Sequence, residues 1–233
     1  MADRLADLMN FYILIERLEE KLGGARRLCE CTGRLNWPDR GVYFFREPGE
    51  FRLESGRGPR VVRVGTHALA EGSRTRLWTR LSQHLGSQRS GGGNHRGSIF
   101  RLLIGTALCA RDGLDPGTWG AGNTAPRATR DLENELEIRV SKFIGAMSLV
   151  WLPIADVPGP SSQRGYVERN AIALLSNYGK PPLDAPSPEW LGSYCARERV
   201  RTSGLWNQNH VDERYDPIFL ERLSHMIDRM EAA

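Results

Sequence analysis

The apolar positions of this chain fall into helical and strand periods that alternate along its length. Leu5, Leu8, Tyr12, Ile15, Leu18 and Leu22 recur at steps of three and four, Arg4, Asp7, Glu16, Arg17 and Glu20 lie off that stripe, and Gly23-Gly24 closes it. This spacing predicts an opening amphipathic helix. After a connector over 25–40, the β-branched and aromatic runs 41–45 and 61–64 predict the two strands of a hairpin whose loop holds Pro48, Gly49, Gly56, Gly58 and Pro59. A helix is expected over 73–84. Residues 98–108 are apolar enough to be buried, but their period does not choose between helix and strand. A Gly-, Pro-, Asp- and Asn-rich loop follows over 110–127, and Leu136, Val140, Phe143 and Ile144 mark a helix over 132–147. The run 149–154 reads as a third strand buried on both faces, 165–177 as a helix, and 217–230 as a last amphipathic helix. The class is α+β: a small central antiparallel sheet flanked by helices, with helical extensions at both ends.

Size and composition leave room for one compact unit. With 233 residues, 40% of them apolar, the chain can bury a sizeable core. The expected division is an N-terminal helical extension over 1–37, a main domain over 38–185 and a C-terminal extension over 186–233 packed on the same unit. The opening helix is expected to pack on the domain or on a second subunit or partner protein. No stretch approaches the ~20 apolar residues of a membrane span, and the expectation is a cytoplasmic protein. Cysteines 29, 31, 109 and 195 have no Cys-x-x-Cys spacing, which argues against a zinc site or disulfide framework.

Charge changes the picture locally. The net charge is only +4, yet residues 57–101 carry nine arginines and three of the five histidines against one acid, Glu71. Such an excess suits a polyanion, although an arginine-rich solvated face has the same composition. Arg74, Arg76, Arg89, Asn94, His95 and Arg96 are the candidate nucleic-acid contacts, the last four around Gly91-Gly92-Gly93, where glycine permits close backbone approach. No Gly-Lys-Ser/Thr follows these glycines, so a triphosphate loop is not indicated. Glu133, Glu135 and Glu137 read as a solvated helix surface, because positions two apart do not share a helical face.

Tyr43 on the first strand, with Arg80 and His84 four apart on one helical face, can place a phenol, a guanidinium and an imidazole round one phosphate. Glu168 begins an inward face with Ile172 and Leu175, so its carboxylate needs either an arginine or a divalent metal. Together, Gly41-Val42-Tyr43, Arg63-Val64-Gly65, Arg80-Leu81-Ser82-Gln83-His84 and Glu168 resemble, in order, the motifs of the GIY-YIG nuclease family. Arginine 63 stands where that family usually has its second tyrosine. The resemblance implies a metal-dependent DNA endonuclease of restriction, defence, mobile-element or repair type, acting on double-stranded DNA with Mg2+ or Mn2+. It assigns Tyr43 to activating or orienting water, Arg80 to gripping phosphate, and His84 to holding or relaying a proton; Arg63, unable to act as a base near neutral pH, can grip phosphate instead. It places His67 where the family often has a lysine, and makes Glu168 the metal ligand. Asp184, with Asn177 second, stands near a family asparagine. His210 is open to a ligand-facing or a structural role. The alternatives are a nucleic-acid-binding module on the same fold without catalysis, and an unrelated α+β binding protein.

Overall fold

The computed structural model describes residues 3–87 and 89–231. Its elements run α1 (Arg4–Lys21), β1 (Arg26–Arg27), β2 (Gly41–Phe51), β3 (Pro59–Gly65), α2 (Leu77–Leu85), α3 (Ile99–Asp112), α4 (Arg127–Ala146), β4 (Ser148–Pro153), α5 (Gln163–Leu175), α6 (Glu198–Ser203) and α7 (Ile218–Asp228), with three short 3-10 turns between them. The sheet order is β1-β4-β2-β3 and every pairing is antiparallel. This is the α+β arrangement that the periods imply.

The central strands β2 and β4 are buried on both faces because helices cover both. Phe44 points to the side where α1 and α7 lie, with its ring 5.9 Å from Phe11 in an edge contact, and Phe11 in turn faces Phe219. Phe45 points to the other side, where Phe100 of α3 lies 5.6 Å away. Alternation along one strand thus feeds two helical layers. One hydrophobic core runs from Leu8 to Ile227, so both terminal segments belong to it.

Several elements depart from the sequence-based expectation. The opening helix buries Leu8, Phe11, Tyr12, Leu14, Ile15 and Leu18 in the chain's own core, and Arg46 and Arg52 of the hairpin pair with its Glu19 and Glu16. Its stripe is therefore not free for a second subunit or partner. Residues 73–76 are extended or turned, and α2 starts only at Leu77, whose N–H donates to the Asp39 carbonyl (3.0 Å). The ambiguous run after Ser98 is α3, whose Gly105 lies directly against the Trp119 ring. Its all-round burial is what erased the period. Strand β1 went unread because two exposed arginines carry no pattern.

An edge strand needs a cover. The outer edge of β3 is closed by the segment after α6: the Trp206 N–H donates to the Val62 carbonyl (2.8 Å), and the Asn207 amide both accepts from Val64 N–H (3.1 Å) and donates to its carbonyl (2.8 Å). Among the described residues, no helix is long and apolar enough to cross a membrane.

Candidate active site

Tyr43 sits at the middle of the sheet, in register with Gly65 on β3 and Trp151 on β4. Its ring lies on Gly65 so closely that a Cβ there would be 2.4 Å from the phenol. The glycine of Arg63-Val64-Gly65 is required by this contact, not by its backbone angles. The Tyr43 hydroxyl is 2.8 Å from His84 Nε2, and His84 Nδ1 is 2.8 Å from Ser98 Oγ. Tyr43 is 1% exposed and His84 0%, the imidazole edge-on to Tyr43, Phe45 and Phe100. Burial, and then the charges of Arg80, Arg63 and Arg101, hold the imidazole well below its ordinary pKa. A neutral ring has one N–H. With the proton on Nδ1 it donates to Ser98 Oγ and leaves Nε2 to accept from the Tyr43 hydroxyl.

Behind His84 stands a buried ionic layer. Arg101 donates to the His84 carbonyl (2.8 Å) and pairs with Glu137, whose other oxygen meets His95 Nδ1 at 3.0 Å. His95 stacks on Trp119 with ring centres 3.9 Å apart, and its Nε2 accepts from Gly120 N–H. Arg96, its side chain 3% exposed, grips Glu133 through both terminal nitrogens (2.6 and 2.8 Å). These contacts correct two expectations. His95 and Arg96 brace the glycine loop on α4 and do not face a polyanion, and Glu133 and Glu137 are buried partners, not a solvated surface. Opposite charges arriving from α3 and the loop make that burial affordable.

A cleft of about 380 Å3 opens in front, walled by Arg80, Gln83, Thr66, His67, Leu69 and Glu168. Among the described residues Arg80 donates to the Gln83 amide oxygen and the Gly97 carbonyl (both 3.1 Å) and makes no ion pair. His67 donates from Nε2 to the Asp39 carbonyl (3.2 Å) and its buried Nδ1 has no partner. Burial, only partly offset by that bond, pushes its pKa down to about 4, so it is a neutral group where a lysine was the family's pattern. Arg164, paired with Asp156, reaches the carbonyls of His67 and Ala68 and fixes this turn beside α5.

Glu168 accepts from the Thr66 N–H (3.1 Å) and, among the described residues, makes no ion pair. Burial raises its pKa despite Arg63, the Thr66 N–H, His210 and Arg80. Arg63 lies over the Phe100 ring at 4.5 Å, donates to the Trp206 carbonyl and keeps its Nε unpaired; desolvation lowers its pKa, opposed first by Tyr43. Glu168 and Arg63 also share a second cavity, of about 290 Å3, with Asn207, Gln208, Asn209 and His210.

A family model described as GIY-YIG domain matches residues 2–233. The chain belongs to the GIY-YIG family. That family is of nuclease type, and no curated protein and no solved structure matches this member of it. A divalent ion, which GIY-YIG nucleases generally need, fits the residues present to the extent of one carboxylate: Glu168 is not spent on an arginine and lines open space. Among the described residues no group of three or more His, Cys, Asp and Glu side chains could cage an ion. Mg2+, which keeps several waters and takes one or two carboxylates, suits such a site.

The structure brings Tyr43, Arg63, His67, Arg80, His84 and Glu168 of this GIY-YIG chain to one place, with Tyr43, Arg63 and His84 buried outside the cleft's lining. Arg74, Arg76, Arg89 and Asn94 are exposed, with Asn94 capping the turn at Arg96 N–H (3.1 Å). Asp184 is elsewhere: its carboxylate accepts from the backbone N–H of Leu53, Glu54 and Ser55 and ties down the hairpin loop. Asn177 closes the turn to Leu183 and accepts from Arg4. Sequence reasoning missed Ser98, and of the segment 206–210 it weighed His210 alone. His210, with φ of 65°, holds Glu213 through Nδ1 (2.8 Å) and borders the same cavity as Glu168; the polar density of 206–210 was the available signal.

Proposed function

We propose that this GIY-YIG protein is an endonuclease hydrolysing phosphodiester bonds of double-stranded DNA with Mg2+ or Mn2+. The observation that carries the reading is the Tyr43–His84–Ser98 hydrogen-bond chain standing behind a cleft that presents Arg80 and an un-ion-paired Glu168. Arg80 grips the scissile phosphate, and Arg63 adds a second cation from the adjoining cavity that shares Glu168 with the cleft. Tyr43 orients the attacking water; as the water loses its proton to the phenol oxygen, the phenol's proton passes to His84 Nε2. Burial holds His84 neutral first, and two of the cations that add to it, Arg80 and Arg63, are ones a phosphodiester anion would offset, so substrate raises its proton affinity. His67 stays neutral and leaves the Nδ1 lone pair beside the site. Glu168 holds the ion, which when bound stabilises charge on the non-bridging and leaving oxygens. Arg74, Arg76, Arg89 and Asn94 supply phosphate contacts, with affinity that falls as salt rises.

Two observations favour a second reading, a binding module without catalysis: Tyr43 is 1% exposed, and arginine stands in place of the second tyrosine. Conversion of supercoiled plasmid by the purified protein separates the two. Cutting with Mg2+ or Mn2+ that chelator stops, and that Glu168→Ala abolishes with DNA affinity within about threefold, is the expected result. A salt-sensitive gel shift without cutting supports the binder, and equal loss of binding in Glu168→Ala makes Glu168 structural.

A further inference from the structure

A separate concavity of about 580 Å3 adjoins the cleft, between the entry to β2, the entry to α2 and the segment leaving β4. Its apolar lining includes Pro38, Ile154 and Val157; Ile154 is buried, 8% exposed, and Val157, 81% exposed, stands at the open side. Its rim is cationic, built from Arg40, Arg74 and Arg76. Thr75 lines both this cavity and the cleft. They are also joined through one carbonyl, since Asp39 O accepts from His67 on the cleft side and from Leu77 N–H at the start of α2.

The rim's charge is largely uncompensated. Of the two carboxylates present, Asp156 is committed to Arg164 and Ser162. Asp39 meets Arg76 at 3.3 Å, but both side chains are about three-quarters exposed (73% and 76%), where such a pair holds weakly. Arg40 donates to the Asp156 carbonyl, and Arg74 makes no hydrogen bond or ion pair among the described residues. A ligand complementary to this site carries an anion at one end and an apolar body at the other, and the site adjoins the cleft at Thr75.

We propose that this cavity is a subsite for an unstacked nucleotide flanking the scissile phosphate, its base on the Pro38–Ile154–Val157 lining and its phosphate on Arg74 and Arg76. The inference rests on the endonuclease reading for its position, though not for its ligand chemistry. A base inside an intact duplex is stacked on both faces and cannot reach such a lining, so occupation requires local unpairing. The predicted consequence is a preference for DNA whose strands open easily. The volume lies within the range of ordinary small-ligand sites.

The test has two arms, both on the full chain. In the first, thymidine 5′-monophosphate is titrated and followed by residue-resolved NMR, with inorganic phosphate and an oligoglutamate peptide as comparators. The nucleotide is expected to shift the Ile154 and Val157 methyls together with Arg74 and Arg76, phosphate the arginines alone, and Val157→Asp to remove the methyl response of Ile154 while the thermal melt stays within a few degrees. Absence of methyl shifts, or larger ones with oligoglutamate, overturns the subsite. The second arm compares negatively supercoiled with relaxed closed plasmid. Wild type is expected to cut the supercoiled form at least fivefold faster, with Val157→Asp reducing the ratio towards one; equal rates in wild type overturn the subsite and leave the nuclease standing. If neither plasmid is cut, the endonuclease reading fails by itself, and the NMR arm still decides whether the cavity takes a nucleotide.

Discussion

At the scale of single residues, the site depends on contacts that fix a ring or a tautomer. Ser98 is the clearest case. Its hydroxyl meets His84 Nδ1 at 2.8 Å and accepts the Arg101 N–H at the head of α3 (3.3 Å), so one side chain sets the His84 tautomer and caps a helix. Ser98→Ala is expected to destabilise the fold by about 1 kcal/mol through the lost cap, and to lower kcat tenfold or more with KM little changed. Ser98→Thr keeps the hydroxyl and should restore both. Urea midpoints and steady-state cutting check this; an alanine variant that melts lower but cuts at the wild-type rate would leave Ser98 only its capping role. Nothing in the sequence pointed to Ser98, because it opens an apolar run and its partner lies on another helix. Tyr43, Arg80, His84 and Glu168 were legible as motif positions. The burial of Tyr43 was not, since a strand's pattern states which side a residue faces and not how thick the layer above it is.

At the scale of elements, legibility followed the source of each element's stability. Helices α1 and α7 are held by apolar stripes, and such stripes are local patterns. Helix α4 is different. Its inner face combines Val140 and Ile144 with Glu133 and Glu137, and the carboxylates are neutralised by Arg96 and Arg101, about forty residues away along the chain. Charge on a helix reads as solvent-facing until its partner is known. Replacing Glu137 tests the reassignment: Glu137→Leu leaves Arg101, fully buried and bonded to the His84 carbonyl, without its acid, and should cost about 3–5 kcal/mol. The double variant Glu137→Leu with Arg101→Met should recover most of that in urea unfolding. A cost under 1 kcal/mol for the single variant would return Glu137 to the surface.

For the molecule as a whole, the β3 edge, the C-terminal segment and the candidate active site share one support, the buried carboxyl of Glu47. Glu47 on β2 is buried and accepts indole N–H bonds from Trp190 (3.2 Å) and Trp206 (2.8 Å); Trp206 in turn covers Val62 and receives Arg63 at its carbonyl. Burial, partly offset by the Trp206 bond, pushes the Glu47 pKa up to about 7. Between about 4.5, its ordinary value, and 7 the folded chain binds more protons than the unfolded one. Stability from Glu47 is therefore full below 4.5 and lost as pH rises through 7. His67, pushed down to about 4, acts oppositely: its contribution is present above its ordinary 6.5 and lost as pH falls through 4. The two slopes oppose each other over nearly the same window, which flattens the wild-type profile. Glu47→Gln keeps an acceptor for the indoles and removes one slope. Its stability relative to wild type should rise between pH 5 and 8, by up to about 3 kcal/mol on the basis of 1.36 kcal/mol per pKa unit, read from urea unfolding at the two pH values. A difference that does not change with pH would mean that Glu47 stays charged throughout, with Arg60 carrying its compensation.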